Sequence, residues 1–218
     1  MKIGIPVYDE VDMLDVTGPF EMFDWAEFEV ELLAERSGLK RFRSRGFTFE
    51  VAKTFADGPR YDAVWVPGGA PKALARIIGD SGRAYLHFLV DQARTARFMC
   101  SVCEGAMLLA AAGLLDGYRA TTHWAFLNCF PQRFPNVIVA EGHPRFVLDR
   151  DRLTGGGISS GLDEALELIR LLGGDELAQD VQQSTQYYPS PPVQSDIPDT
   201  PDQCPIPGGV SSSEPTAA

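Results

Sequence analysis

The chain has 218 residues, 44% of them hydrophobic and 22% charged, with a formal net charge of -11. That suffices for one globular domain with a core and a pocket, while the acidic balance excludes sequence-independent nucleic-acid binding, which needs a basic surface to displace counterions from phosphates. No apolar run is long enough to span a bilayer as a helix, so neither nucleic acid nor membrane is an expected partner.

The patterns alternate strand and helix along the chain. Residues 3–7 read as a strand, and residues 16–25 have helical spacing with Pro19 in the first turn. Strands follow at 28–34 and, half-exposed, at 47–51. The basic stretch Lys40, Arg41, Arg43 and Arg45 between them is expected to be a solvated loop. Residues 63–66, closed by Pro67-Gly68-Gly69, look like a central parallel strand. Helices are expected near 72–78 and 83–94, a buried strand at 98–102, and a small alanine-rich helix at 104–112. Short strands at 118–121, 137–140, 146–148 and 153–154 precede helices at 162–172 and 175–183. The order predicts an α/β fold, a flavodoxin-like three-layer sandwich whose mainly parallel sheet is covered on both faces. The ordered domain is expected over residues 1–186. Residues 187–218 form a proline-rich tail that is partly draped and partly mobile: from Pro189 onward it holds half of all the prolines and no Lys or Arg.

Because the first residues read directly as a strand, no signal peptide is expected. Four cysteines, Cys100, Cys103, Cys129 and Cys204, do not make the framework of a small secreted protein. Reduced thiols in the cytoplasm are therefore expected.

Three loops should open at the carboxyl edge of the sheet, where such folds bind ligands. Asp15 follows the first strand, Gly68-Gly69 follow the strand at 63–66, and Cys103-Glu104-Gly105 follow the strand at 98–102. Cys103 sits where a strand must turn abruptly into a helix, with small residues after it, the cysteine form of a nucleophile elbow. The helix N-terminus behind it favours thiolate over thiol, and the backbone N–H groups of Gly68 and Gly69 could face a developing anion. Taken singly, each feature has a plainer reading: a buried cysteine, a Pro-Gly-Gly turn, an Asp15 helix cap. Their convergence on one edge favours a site.

Cys100 and Cys103 form C-x-x-C, but Cys100 lies inside the strand, so the sulfurs would stand roughly 10 Å apart, beyond disulfide reach. No second close pair of Cys or His supplies zinc ligands, so no metal is expected. His87 reads as structural and His143 as solvated. His123 is open between lining the site and serving the core. Gly155-Gly156-Gly157 follows no Walker pattern and reads as a close backbone approach to the pocket.

At this point the motifs resemble the ThiJ/PfpI superfamily (class I glutamine amidotransferase-like), and within it the isonitrile hydratase (cyclohexyl-isocyanide hydratase) branch. The matching stretches are Leu14-Asp15-Val16-Thr17-Gly18-Pro19, Val66-Pro67-Gly68-Gly69, Ser101-Val102-Cys103-x-Gly105 and Ala112-Gly113-Leu114-Leu115. They continue with Ala120-Thr121-Thr122-His123-Trp124, Leu153-Thr154-Gly155-Gly156-Gly157-Ile158 and, in the tail, Tyr188-Pro189-Ser190-Pro191-Pro192. The resemblance implies a homodimer without metal or cofactor, acting on a small molecule through a Cys103 nucleophile partnered by Asp15. It also implies an anion site of Gly68, Gly69 and Ala70 backbone and a pocket that includes Thr17, His123, Gly157 and Ile158. The chemistry implied is hydration of an isonitrile to an N-substituted formamide. Glu104, also a catalytic candidate, stands where that branch carries Thr. It either points outward as a helix N-terminal acid or faces the cleft, where it would raise the thiol pKa; the cleft-facing arrangement is favoured. Two other functions remain open. One is a ligand-binding or oxidative-stress-sensing domain with a reactive Cys103. The other is a glyoxalase- or hydrolase-type relative, which a His in place of Glu104 would favour.

Overall fold

The computed structural model describes residues 1–79 and 83–207. In chain order the first elements are β1 (Lys2–Pro6), α1 (Met13–Trp25), β2 (Glu29–Ala34), β3 (Gly38–Arg41), β4 (Thr48–Val51), β5 (Lys53–Thr54) and β6 (Ala63–Val66). Next come α2 (Pro71–Ile78), α3 (Arg83–Gln92), β7 (Phe98–Ser101), α4 (Gly105–Ala111), β8 (Arg119–Ala120), a 3-10 turn (Trp124–Phe126) and α5 (Cys129–Arg133). The last are β9 (Ile138–Val139), β10 (Phe146–Asp149), β11 (Arg152–Gly155), α6 (Ser160–Gly173) and α7 (Asp175–Ser184).

The central sheet runs β10-β11-β7-β6-β1-β2-β5 and is parallel except for the β10–β11 hairpin at its edge. β6, fully buried as Ala-Val-Trp-Val, lies between β1 and β7, as a strand covered on both faces should. α1, α6 and α7 pack together, and α2, α3 and α4 form a second group of mutually packed helices. These are the two outer layers of the expected sandwich. The right-handed crossovers of parallel strands bring the ends of β1, β6 and β7 to one edge. No helix among the described residues is long and apolar enough to cross a membrane.

Two departures from the sequence reading shape the site. The basic stretch is not a free loop: β3 pairs antiparallel with β4, and the hairpin docks on the segment after β1. There Glu10 N–H donates to the Arg41 carbonyl at 2.7 Å and Arg43 N–H to the Val11 carbonyl at 2.9 Å. Nor are all four cysteines reduced thiols. Cys129 on α5 is disulfide-bonded to Cys204 in the tail, across 75 residues, while Cys100 and Cys103 are free. In the chain-entropy account a closure of that length disfavours the unfolded chain by about 4 kcal/mol. The bond could not be read from the sequence, because spacing does not fix connectivity. The far end of the tail, residues 208–218, lies outside the described residues.

Candidate active site

Cys103 occupies the turn between β7 and α4 with φ 57°, in the left-handed region, where a non-glycine residue costs about 1–3 kcal/mol. Three fixed contacts hold it there. Its N–H donates to the Gly156 carbonyl at 2.8 Å, its carbonyl accepts from Thr122 Oγ1 at 2.9 Å, and Gly105 N–H donates to the Val102 carbonyl at 2.9 Å. Gly105 cannot carry a side chain, because a Cβ would collide with the Val66 carbonyl. Of the triple glycine, expected as a close backbone approach to the pocket, it is Gly156 whose carbonyl braces the elbow.

Asp15 enters from α1, which begins at Met13 rather than at residue 16. It therefore stands within the first helical turn instead of capping it, and no side-chain cap bond forms there. Its Oδ2 accepts from the Gly68 N–H at 2.9 Å, and its carbonyl accepts from Trp65 Nε1 at 3.0 Å, which ties α1 to β6. Glu104 turns inward: it is 3% exposed, and a Cβ on Gly68 would strike its Oε2. Asp12, one turn before Asp15, completes the cluster. The donor atoms of Asp12, Asp15, Cys103 and Glu104 all lie within 4.8 Å of one another, and all four residues are buried. Three carboxylates and a thiolate would suit zinc rather than calcium or magnesium, because sulfur is a soft ligand.

Three carboxyls and a thiol crowded away from water cannot all ionise. Burial, then Asp12 and Glu104, push the Asp15 carboxyl well above the usual range, although the Gly68 N–H and the Cys103 thiol pull the other way. Burial and then Asp12 raise Glu104 to about 7. Burial, Asp15 and Glu104 push the Cys103 thiol well up. This reverses the expectation of a helix-stabilised thiolate: α4 has seven residues, and its dipole is outweighed by desolvation and like charge. Asp12 is raised by burial, with the Arg43 guanidinium 3.4 Å away opposing that rise. Among the described residues, Asp15 Oδ1 and Glu104 Oε2 have no hydrogen-bond partner.

Two of the four, Asp12 and Glu104, line a cavity of about 510 Å³ together with Arg43, His123, Phe126 and Ile158, while Cys103 and Asp15 are fully buried beside them. His123 therefore lines this cavity. Its Nδ1 accepts from Ala125 N–H at 3.2 Å, its pKa is lowered by burial and then Arg43, and its ring rests over Gly157.

Other expectations need correction. Thr17 does not line the pocket, because it lies on the exposed face of α1 with its hydroxyl bonded to the Met13 carbonyl at 2.9 Å. Ala70 N–H is taken by the Glu10 carbonyl at 2.9 Å and cannot serve an anion. Gly68 N–H is committed to Asp15, which leaves Gly69 N–H as the candidate donor. Cys103 itself is 0% exposed, so reactivity through exposure is not what its surroundings offer. His87, expected to be structural, is exposed on α3, and His143 is exposed as expected. Asp12 and Arg43 were missed. The spacing Asp12-x-x-Asp15 on one helical face was a signal for the first; the hairpin docking that delivers Arg43 had none.

The inward Glu104 leads to an expected result. An acid raised in the fold binds its proton more tightly there than in the unfolded chain, so the folded state loses stability as pH rises from 4.5 to about 7. Glu104→Gln should leave stability unchanged below that window and add up to about 3 kcal/mol above it. Urea melts of both proteins from acid to mildly alkaline pH check this; a gain that is independent of pH would mean Glu104 is not titrating in the window.

Comparison with known proteins gives three kinds of match. A model of the DJ-1/PfpI family matches residues 1–171. Isonitrile hydratase of Pseudomonas putida is 37% identical over 201 residues, 92% of this chain and 84% of that protein. The HTH-type transcriptional regulator GbdR of Pseudomonas aeruginosa is 35% identical over 131 residues, 60% of this chain but 34% of the regulator. Among solved structures, a ThiJ/PfpI family protein from Pseudomonas syringae superposes with a TM-score of 0.78 at 29% identity, covering 88% of this chain and 77% of that one. Oxidised DJ-1 of Toxoplasma gondii gives 0.74 at 25% identity, covering 85% and 98%.

Proposed function

Since this chain belongs to the DJ-1/PfpI family, we propose that it is a hydration-type lyase that converts an isonitrile to an N-substituted formamide through Cys103. The observation that carries this reading is the buried cluster itself: one thiol with two carboxyls of raised pKa, Asp15 and Glu104, their donor atoms within 4.8 Å. In this reading Asp15, pushed well above the usual range by burial, carries the proton and Glu104, raised to about 7, is partly ionised near neutral pH, so a proton donor and a proton acceptor flank the same sulfur. An uncharged substrate suits this site. An anionic one would meet three acids, and the walls at Phe126 and Ile158 are apolar.

Glu104 takes the thiol proton as the sulfur attacks the terminal carbon of R–N≡C. The electron pair left on that carbon takes the Asp15 proton, giving the thioimidate R–N=CH–S–Cys103. Water then adds to the same carbon; its proton returns to Asp15, and Glu104 delivers its proton to nitrogen. The hydroxyl proton passes to sulfur as the C–S bond breaks, freeing R–NH–CHO and the thiol. The sum is one isonitrile and one water to one formamide, with every group restored. The raised pKa values that keep the resting sulfur protonated and slow to react are those that make the acid–base exchange work near pH 7. The test is release of N-cyclohexylformamide from cyclohexyl isonitrile, followed chromatographically; no release above a buffer blank would overturn the reading.

A second reading is a ligand-binding domain in which Cys103 does no chemistry. The full burial of Cys103 and the regulators that share part of this domain favour it. Isonitriles that raised the melting temperature without being consumed would support it.

A further inference from the structure

Beyond α7 the described chain forms no helix or strand, yet it does not hang free. Tyr187 hydroxyl donates to Asp163 Oδ1 at 3.2 Å. Ile197 lines a hollow of about 220 Å³ behind Gly156 and Gly157. Asn128 Nδ2 donates to the carbonyls of Thr200 at 3.1 Å and Pro201 at 3.3 Å. Cys204 is joined to Cys129, with the Cα atoms 5.0 Å apart. Immediately after it Pro205 lines the cavity next to Cys103, with Glu104, His123 and Phe126 in the same lining, and Ile206 is 2% exposed. One wall of the cleft therefore comes from a segment with no secondary structure of its own, held by one covalent bond, two amide contacts and one buried side chain.

We propose that Pro205 is a specificity-determining residue of the Cys103 cleft, and that the Cys129–Cys204 disulfide is the latch that keeps it in place. With the latch closed, the cleft takes an isonitrile whose substituent on nitrogen is compact and uncharged. Reduction by a dithiol, which supplies two electrons and two protons and is itself oxidised to a disulfide, leaves two thiols. It frees the segment and admits larger groups. The substrate class rests on the hydratase reading; the wall and its latch do not, because access to Cys103 is measurable without turnover.

The experiment compares alkylation of Cys103 by iodoacetamide and by its N-naphthyl derivative, located by peptide mass mapping, in three proteins. These are the oxidised wild type, Cys129→Ser/Cys204→Ser, and Pro205→Gly with the disulfide intact. The expected result is a naphthyl-to-parent rate ratio that rises on the order of tenfold in both variants, the scale on which a pocket discriminates by size. The Pro205 variant keeps the test decisive should the double variant unfold. Equal ratios in wild type and Pro205→Gly would overturn the wall, and a ratio moved only in the double variant would place the wall elsewhere and overturn the assignment to Pro205. If isonitrile turnover is also measured, its absence in all three proteins would remove the hydratase reading while the alkylation ratios still decide this one.

Discussion

Cys103→Ala is expected to bring isonitrile hydration down to background, a loss of at least roughly 10⁴-fold, as removal of a covalent nucleophile does. Alanine tolerates the left-handed backbone at position 103 no worse than cysteine, and the braces from Gly156 and Thr122 are to main-chain atoms that the substitution keeps. The fold should therefore survive. Removing the thiol also relieves a site in which Asp15 and Glu104 both bear on Cys103, so the melting temperature should not fall by more than the loss of one buried sulfur implies. Formamide release and calorimetry on the same preparation check this. Retained turnover would mean that the carboxyls alone hydrate the substrate.

Asp15→Asn is expected to cost 10²–10⁴-fold, about the usual contribution of a positioned acid–base group. The asparagine side-chain oxygen can still accept from Gly68 N–H, where Asp15 Oδ2 does so at 2.9 Å, so geometry is kept and only the transferable proton is lost. Asp15 is the protonated, uncharged acid of the proposed cycle, so the neutral amide leaves the charge facing the Cys103 sulfur as it was. Alkylation of Cys103 should therefore stay near the wild-type rate while hydration collapses. A variant with low hydration and low alkylation alike would indicate a displaced loop instead of a missing acid.

Much of this was legible in the chain. The alternation of elements, the Pro-Gly-Gly turn after β6 and the abrupt turn at Cys103 are local features, and local chemistry fixes them: small residues where a backbone passes close, apolar runs where a strand is covered on both faces. Those features sufficed to bring Asp15, Gly68 and Cys103 to one edge. What was not legible depends on contacts distant in sequence. Arg43 reaches Asp12 because a hairpin folds back over the segment after β1, and nothing in the basic stretch announces that partner. Cys204 finds Cys129 through the path of a tail without periodicity. The protonation of the thiol was read with the wrong sign for a similar reason: a helix N-terminus is visible in sequence, whereas complete burial of Cys103 beside three acids is a property of the assembled fold. Thr17 illustrates the same limit at small scale, since starting α1 three residues earlier turns it onto the outer face.

The central claim is covalent: the sulfur of Cys103 bonds to the isonitrile carbon. Acid quenching of the enzyme during turnover, followed by mass mapping, tests it most directly. The expected result is a peptide containing Cys103 heavier by the mass of one isonitrile, rising and decaying as formamide appears, and absent from Cys103→Ala. Formamide release with Cys103 unmodified at every quench time would contradict it.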